Sequence, residues 1–252
     1  MEINDQAETK TKMCFRVLGI SQYSMLRNGT YLATHPCYGC TVIKFAQSVS
    51  AKQQLKTEAE FLNLHPSPHW AEFLDYGSDM GLDWLVIKYI DSLSVNYSQL
   101  EISLKQKIIS SAEQALHSLH KTGFIHGDIK PSNLIITPEH RSTLLDMGSL
   151  APIGSMYTQL SNSSCSPLFS ALNPSLRIGD ARPQDDFYAL AISLQTLLGQ
   201  HPFSGLALLD FAQTFQPPLT DHLGSRHMII IDQQLRQAKR HAYRAGALGT
   251  SR

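Results

Sequence analysis

HGDIKPSN, residues 126–133, decides how this 252-residue chain is read. It holds an aspartate, a lysine two residues on and an asparagine three further, just ahead of the apolar run LIIT (134–137). PEHR (138–141) follows, then the second short run STLL (142–145), and the two runs are expected to pair as an antiparallel hairpin. Its open end would bring Asn133, before the first strand, to Asp146, after the second, with Asp128 in the loop that feeds it. A carboxylate and an amide oxygen are hard ligands of the kind Mg2+ shares with phosphate oxygens. A further carboxylate can orient an attacking hydroxyl and take its proton. A lysine can neutralise charge on a moving phosphoryl group. Each Asp or Asn taken singly is an ordinary turn residue. Three at one hairpin mouth point instead to phosphoryl chemistry.

Upstream, Lys44 lies inside the apolar run TVIKF (41–45), where a charge is costly unless paired. AQSVSAKQQLKTEAEFLNL (46–64) reads as a helix, with Ser50 and Gln53 as a capping box and Ala51, Leu55, Ala59 and Leu62 in one stripe. Glu58 falls on that stripe and Glu60 does not, which makes Glu58 a partner for Lys44. The alternative is a solvent-facing lysine on an edge strand and a half-exposed glutamate. YLAT (31–34) and CTVIKF (40–45) read as strands separated by HPCYG, and WAEFLDYG (70–77) and LDWLVIKYI (82–90) as two more around GSDMG.

The character changes after Ser92. KQKIISSAEQALHSLHKTG (105–123) is helical, with Ile108, Ala112, Ala115, Leu116 and Leu119 on one face and Gly123 at its end. A Ser-rich, weakly patterned segment runs to about residue 180. DDFYALAISLQTLLG (185–199) is apolar almost all round and reads as a buried helix. The expectation is an α+β chain, a small β-rich region followed by a larger helical one with the boundary near residues 90–92.

Apolar residues make up 42% and charged residues 17%, and the formal net charge is zero, so a nucleic-acid partner is not expected. No apolar run reaches the ~18 residues of a membrane span. The segment 1–13, MEINDQAETKTKM, lacks an apolar signal region and reads as a flexible tail on a cytoplasmic protein. Four cysteines make no disulfide framework at this length, and the lone pair Cys37 and Cys40 reads as flanking a hairpin turn rather than holding zinc. Residues 226–252 carry six Lys/Arg against Asp232, with Ile231, Leu235, Ala238 and Ala242 on one helical face. That pattern fits a packing helix with a solvated basic face; a docking or membrane-touching element is the alternative.

Taken together, these stretches resemble the bacterial eukaryotic-type (Hanks-type) serine/threonine protein kinases, over about residues 14 to 205. TVIK resembles the lysine motif of the third strand, which implies that Lys44 meets the ATP α/β-phosphates with Glu58 as its partner. LHKTGFIHGDIKPSN resembles the catalytic loop and implies Asp128 as base, Lys130 as phosphate contact, Asn133 as Mg2+ ligand and His126 as scaffold. LLDMGS resembles the DFG motif, with Asp146 as the other Mg2+ ligand and Gly148 as support. DDFYALAISL places Asp186 at the family's acidic position, bound to the catalytic-loop backbone. LVIKYI would be the hinge, with Ile87 as gatekeeper and Lys88, Tyr89 and Ile90 offering backbone hydrogen bonds to adenine. The implied fold is bilobal: a flexible tail over 1–13, an N-lobe over 14–91, a C-lobe over 92–225 that is short of the family's last helices, and a basic helix or tail over 226–252. The implied cofactors are ATP and Mg2+, the implied partner is a protein substrate, and the basic C-terminal region is a candidate docking element.

The chain also departs from the pattern. Counting back from YLA puts Tyr23, Met25 and Asn28 where the family has the three glycines of its phosphate loop, which predicts a loosened or reshaped clamp. Gly127 stands where many relatives have the arginine that grips a phosphorylated activation loop, which predicts activity without such phosphorylation. ALN (171–173) replaces APE, whose glutamate pairs with a late arginine. Two other functions stay open on the sequence: a small-molecule kinase of the aminoglycoside or sugar type, and a nucleotide-binding pseudokinase serving as an interaction module.

Overall fold

The computed structural model describes residues 2–160, 165–214 and 216–249, with side chains described from residue 9 to 244 within those spans. The chain divides into two compact units: Met1–Asp91 with Asp146–Gly148, and Ser92–Leu145 with Ser149–Arg252.

The first unit is built on a five-stranded antiparallel sheet: β1 (Tyr23–Arg27), β2 (Thr30–His35), β3 (Gly39–Ala46), β4 (Phe73–Asp79) and β5 (Leu82–Lys88), in spatial order β1-β2-β3-β5-β4. Strand β3 is therefore central, with Lys44 opposite Thr30 of β2 on one side and Leu85 of β5 on the other. Three tight turns set the registers. Asn28-Gly29 joins β1 to β2, residues 36–38 join β2 to β3, and Met80-Gly81 joins β4 to β5 with both residues at positive φ, as a type I′ turn requires. Cys37 and Cys40 are free, exposed thiols at the second of these turns.

Helix α2 (Val49–Leu64) follows β3 and buries Leu55, Glu58, Ala59, Phe61 and Leu62. Its N-cap is Ser48, whose hydroxyl accepts from the Ala51 amide at 3.2 Å. The N-cap expected at Ser50 is thus two residues further upstream, and it forms no capping box, since the N3 residue is Ala51. Ser48 follows the last apolar residue of β3 closely, and the helix starts at the first serine able to accept from an N3 amide.

The flexible tail expected over 1–13 is not what the chain forms: helix α1 spans Glu2–Val17. Its end is a Schellman motif. Gly19 takes φ +69°, its amide donates to Arg16, and the Ile20 amide reaches back to Phe15 at 2.8 Å. Phe15 and Ile20, at positions C3 and C″, are both buried in a cluster with Cys14, Ala33, Ile43, Leu82, Trp84 and Val86. Phe15 stacks on Tyr23 at a centroid distance of 3.9 Å and meets Tyr31 and Phe45 edge-on. The mostly polar residues ahead of Met13 hide this signal, because among the described residues only Cys14 and Phe15, near the end of the helix, are buried against the sheet.

The second unit is mostly helical. Helix α3 (Ile102–Lys121) buries Ile108, Ala112, Ala115, Leu116 and Leu119, the face its spacing predicts. It is followed by β6 (Phe124–Ile125), β7 (Leu134–Ile136), β8 (Ser142–Leu144) and β9 (Ala151–Pro152), in two small sheets that pair β7 with β8 and β6 with β9. Then come α4 (Leu172–Leu176), α5 (Pro183–Leu198), α6 (Leu208–Phe211) and α7 (Ser225–Gly249). Helix α5 is buried on nearly every side, from Asp185 to Leu198. Helix α7 lies against it and buries His227, Ile231, Leu235 and Ala238. Arg236 and Arg240 on its other face are exposed.

Candidate active site

In the first unit, the Lys44 side chain is buried and its ammonium donates to both oxygens of Glu58, at 2.8 and 2.7 Å. Central placement of β3 rules out the edge-strand alternative. Glu58 is 3% exposed while Glu60, two residues on, faces solvent, so the stripe geometry of α2 selects the pair. Asp146 belongs to the same unit and has φ +65°, a conformation few non-glycine residues adopt without a constraint. One of its oxygens stands 3.6 Å from the Lys44 ammonium and the other 3.4 Å from the Arg27 guanidinium. Gly148 lies where a Cβ would stand 3.2 Å from the Gln54 carbonyl, so this stretch runs hard against α2. Arg27, Asn28, Gly29, Thr30, Lys44 and Asp146 line part of a cavity of about 270 Å³.

At the hinge-like end of β5, Ile87 is buried. The Lys88 amide donates to the Glu72 carbonyl at 3.0 Å and the Tyr89 amide to Cys40 at 3.3 Å. The amides of Lys88 and Tyr89 are thus committed within the unit.

In the second unit, Asn133 ends a single 3-10 turn (Pro131–Asn133) and β7 begins at the next residue. The hairpin has the register Leu134↔Leu144 to Ile136↔Ser142, and the Leu145 amide donates to the Asn133 carbonyl at 2.9 Å. The Asn133 amide nitrogen donates to the Asp128 carbonyl at 2.9 Å, which fixes the side chain and leaves Oδ1 buried with no partner within the protein. An orphaned buried acceptor costs about 1–3 kcal/mol, so something outside the chain is owed to it. Asp128 is buried; Lys130 donates to its Oδ2 at 2.7 Å and the Ser166 hydroxyl to its Oδ1 at 2.7 Å. Lys130 also donates to the Ser166 hydroxyl at 3.1 Å, closing a triangle of acid, base and alcohol.

The scaffold beneath is fully bonded. Asp186 accepts from the His126 amide at 2.7 Å, the Gly127 amide at 3.0 Å and the His120 ring at 2.9 Å. His126 Nδ1 accepts from the Asp128 amide, so its proton sits on Nε2 and is donated to the Leu145 carbonyl at 2.9 Å. His126 thereby ties the octapeptide to the end of β8.

Gly127 has φ +79°, and a Cβ there would stand 2.5 Å from the Ser149 carbonyl oxygen. No side chain fits. Gly127→Ala is expected to cost at least about 1–3 kcal/mol, read as a lower urea midpoint, because both the left-handed backbone and the contact are lost. The segment that follows is instead held by Arg177, which donates to the Tyr157 carbonyl at 3.3 Å and to Leu160 at 2.6 Å. Where the family's APE glutamate is replaced, the Leu172 amide that opens α4 donates to Gln234 of α7 at 3.1 Å. The basic C-terminal helix thus takes a structural part in this unit.

Beside these groups, burial pushes the Asp185 carboxyl up to about 6, with the Asp186 charge adding and hydrogen bonds from Tyr157 and Arg182 opposing. The native state then holds a proton that the unfolded chain has released, so stability from this group falls as pH rises from about 4 to 6. Asp185→Asn keeps an acceptor for the Tyr157 hydroxyl. The variant should therefore gain on the natural protein as pH rises through that window, by on the order of 2 kcal/mol in denaturant titrations at pH 7 against pH 4.5.

Ser166, Arg177, Arg27 and Gln234 were not singled out for these contacts by sequence. Ser166-Pro167 lies in the weakly patterned segment, where no period marks it. Arg27 could have been found, since RNG at a two-residue turn fixes where the arginine stands.

A hairpin preceded by Asp128, Lys130 and Asn133, and a sheet-and-helix unit with a buried Lys–Glu pair, are the parts expected of the protein kinase fold. The protein kinase domain model matches residues 15–231, and the chain belongs to that family. It is 27% identical over 158 residues to a probable serine/threonine-protein kinase pknA2 of Bifidobacterium longum, covering 60% of this chain and 21% of that protein. It is 28% identical over 134 residues to the serine/threonine-protein kinase PknB of Mycobacterium tuberculosis, covering 49% of this chain and 21% of that protein. The chain thus spans about a fifth of the length of these relatives. Among solved structures, the Cydia pomonella granulovirus kinase PK-1 shares the fold, with TM-score 0.67, 18% identity and coverage of 89% and 92%. Among the described residues, no helix is long and apolar enough to cross a membrane.

Proposed function

We propose that the chain transfers the γ-phosphoryl group of ATP to serine or threonine hydroxyls of a protein, with Mg2+ as cofactor. The single observation that carries this is the orphaned Asn133 Oδ1, an oxygen that the fold orients and buries but does not satisfy. A hard cation is the natural partner for a neutral amide oxygen, and in this reading the Asp146 carboxylate is a further Mg2+ ligand, both being hard oxygens of the type Mg2+ takes alongside phosphate oxygens. Mg2+ held by Asn133 and Asp146 would neutralise charge on the transferring phosphates. Few protein ligands are needed, since Mg2+ brings phosphate oxygens and waters of its own.

The chain's own groups divide the remaining work. Lys44, oriented by Glu58, binds the α/β-phosphates, while the Ile90 amide and the carbonyls near it meet adenine beside Ile87. Asp128 accepts the proton of the acceptor hydroxyl, a role suited to a carboxylate that already accepts from the Ser166 hydroxyl at 2.7 Å. Lys130 then balances the charge that builds between hydroxyl and phosphate. Asp186 and His126 hold the loop that carries Asp128. Arg177, rather than a phosphate group, orders the segment after β9, so pretreatment with phosphatase should leave activity in place. In this reading the protein acts in the cytoplasm, and the exposed basic face of α7 is free to meet a docking partner.

The test is incubation of the purified chain with γ-labelled ATP, alone and with candidate proteins, against Asp146→Ala. Label on serine or threonine, lost in the variant, supports the reading. Nucleotide binding without transfer makes the chain a binding module, and label on a sugar or other small alcohol makes it a small-molecule kinase.

A further inference from the structure

The reading above leaves the nucleotide's terminal phosphates without the glycine-loop amides that would grip them. The turn between β1 and β2 has only two residues, Asn28 and Gly29, and it is pinned to β3 by the Phe45 amide donating to the Gly29 carbonyl at 2.7 Å. A Cβ on Gly29, at φ +71°, would stand 3.1 Å from the Phe45 carbonyl oxygen. A loop so short and so tied cannot fold down over a phosphate chain and wrap it in successive N–H groups. What it presents instead is a side chain. Arg27, the last residue of β1, reaches the cavity it shares with Lys44 and Asp146, and its guanidinium stands 3.4 Å from Asp146.

We propose that Arg27 is an exchangeable cation. It pairs with Asp146 when no nucleotide is present, and it moves to the terminal phosphates of a nucleoside di- or triphosphate when one binds. The inference rests on the proposed kinase function and deepens it. Three features support it. The Arg27 side chain is 49% exposed and Asp146 35%, so their pair is screened by water and easily given up. A phosphate offers a guanidinium two parallel charge-assisted hydrogen bonds, a better partner than one oxygen at 3.4 Å. Lys44 cannot make the same exchange, since Glu58 holds its ammonium through both oxygens inside the unit. Arg27 and Lys44 therefore divide the labour, one mobile and one fixed, around a shared carboxylate.

The exchange predicts effects of opposite sign from one substitution. Arg27→Ala should weaken ATP binding measured in EDTA by calorimetry about tenfold, the loss of one charged hydrogen-bonding group. AMP, which lacks the terminal phosphates, should bind as before. The same variant should bind Mn2+ alone, followed by electron paramagnetic resonance, about threefold or more tightly, because Asp146 is relieved of a competing cation. Arg27→Lys should restore most of the ATP affinity. A misfolded variant would lose ligands across the board, so the pattern separates the proposal from damage. Equal ATP and Mn2+ affinities in Arg27→Ala and the natural chain would overturn it while leaving the kinase reading intact. A natural chain that binds no ATP at all would overturn both.

Discussion

Asp128→Asn is expected to reduce phosphoryl transfer by about 10²–10⁴-fold while leaving ATP affinity within a factor of two of the natural chain. The carboxylate is buried, with one oxygen on Lys130 and the other on Ser166, so it has two acceptor sites in use. An asparagine keeps one oxygen and turns an NH2 group toward either the Lys130 ammonium or the Ser166 hydroxyl. It cannot accept a proton in either pose. Lys44, Glu58 and Asp146 belong to the other compact unit and are untouched, so nucleotide binding should persist. Single-turnover transfer with labelled ATP, set beside calorimetric titration of the same preparation, reads both quantities. A variant that retained a tenth or more of the rate would remove Asp128 from the role of base.

The largest stability effect is expected at Lys44. Lys44→Met leaves Glu58, 3% exposed, as an unpaired buried charge, which costs about 3–5 kcal/mol. For a chain of this size that corresponds to a melting temperature lower by roughly 6–20 °C. The double variant Lys44→Met/Glu58→Leu should recover most of the loss, since apolar residues of similar volume often replace a buried ion pair without penalty. Nucleotide affinity should not recover in full, because the fixed cation proposed to meet the α/β-phosphates is gone. Thermal melts and calorimetry on the single and double variants separate the two roles. If the double variant also regained ATP binding, Lys44 would be a structural residue alone.

Much of this molecule could be read before its structure was known, and the legible parts share a physical cause. Glu58 was separable from Glu60 because a core-facing stripe repeats at helical spacing, and the hairpin between Asn133 and Leu145 announced itself by two apolar runs around PEHR. Fold class followed from where β-type runs give way to helical ones. Illegible parts depend on contacts between residues far apart in sequence with no period to betray them. Ser166 meets Asp128 across thirty-eight positions, and Gln234 meets Leu172 across sixty-two. Helix α1 was hidden differently. Its residues are mostly polar until Met13, and the stop signal Leu18-Gly19-Ile20 makes sense only once Phe15 is known to be buried. Gly127 was read as a missing arginine; the structure gives the reason, since the Ser149 carbonyl occupies the space any side chain would need.

The proposal at the centre of this account is that Asn133 and Asp146 are each ligands of the divalent ion that accompanies the nucleotide. Mn2+ titration followed by electron paramagnetic resonance, in the presence of a non-hydrolysable ATP analogue, tests it most directly. The account predicts that Asn133→Ala and Asp146→Ala each weaken Mn2+ binding by tenfold or more. Unchanged Mn2+ affinity in either single variant would contradict it.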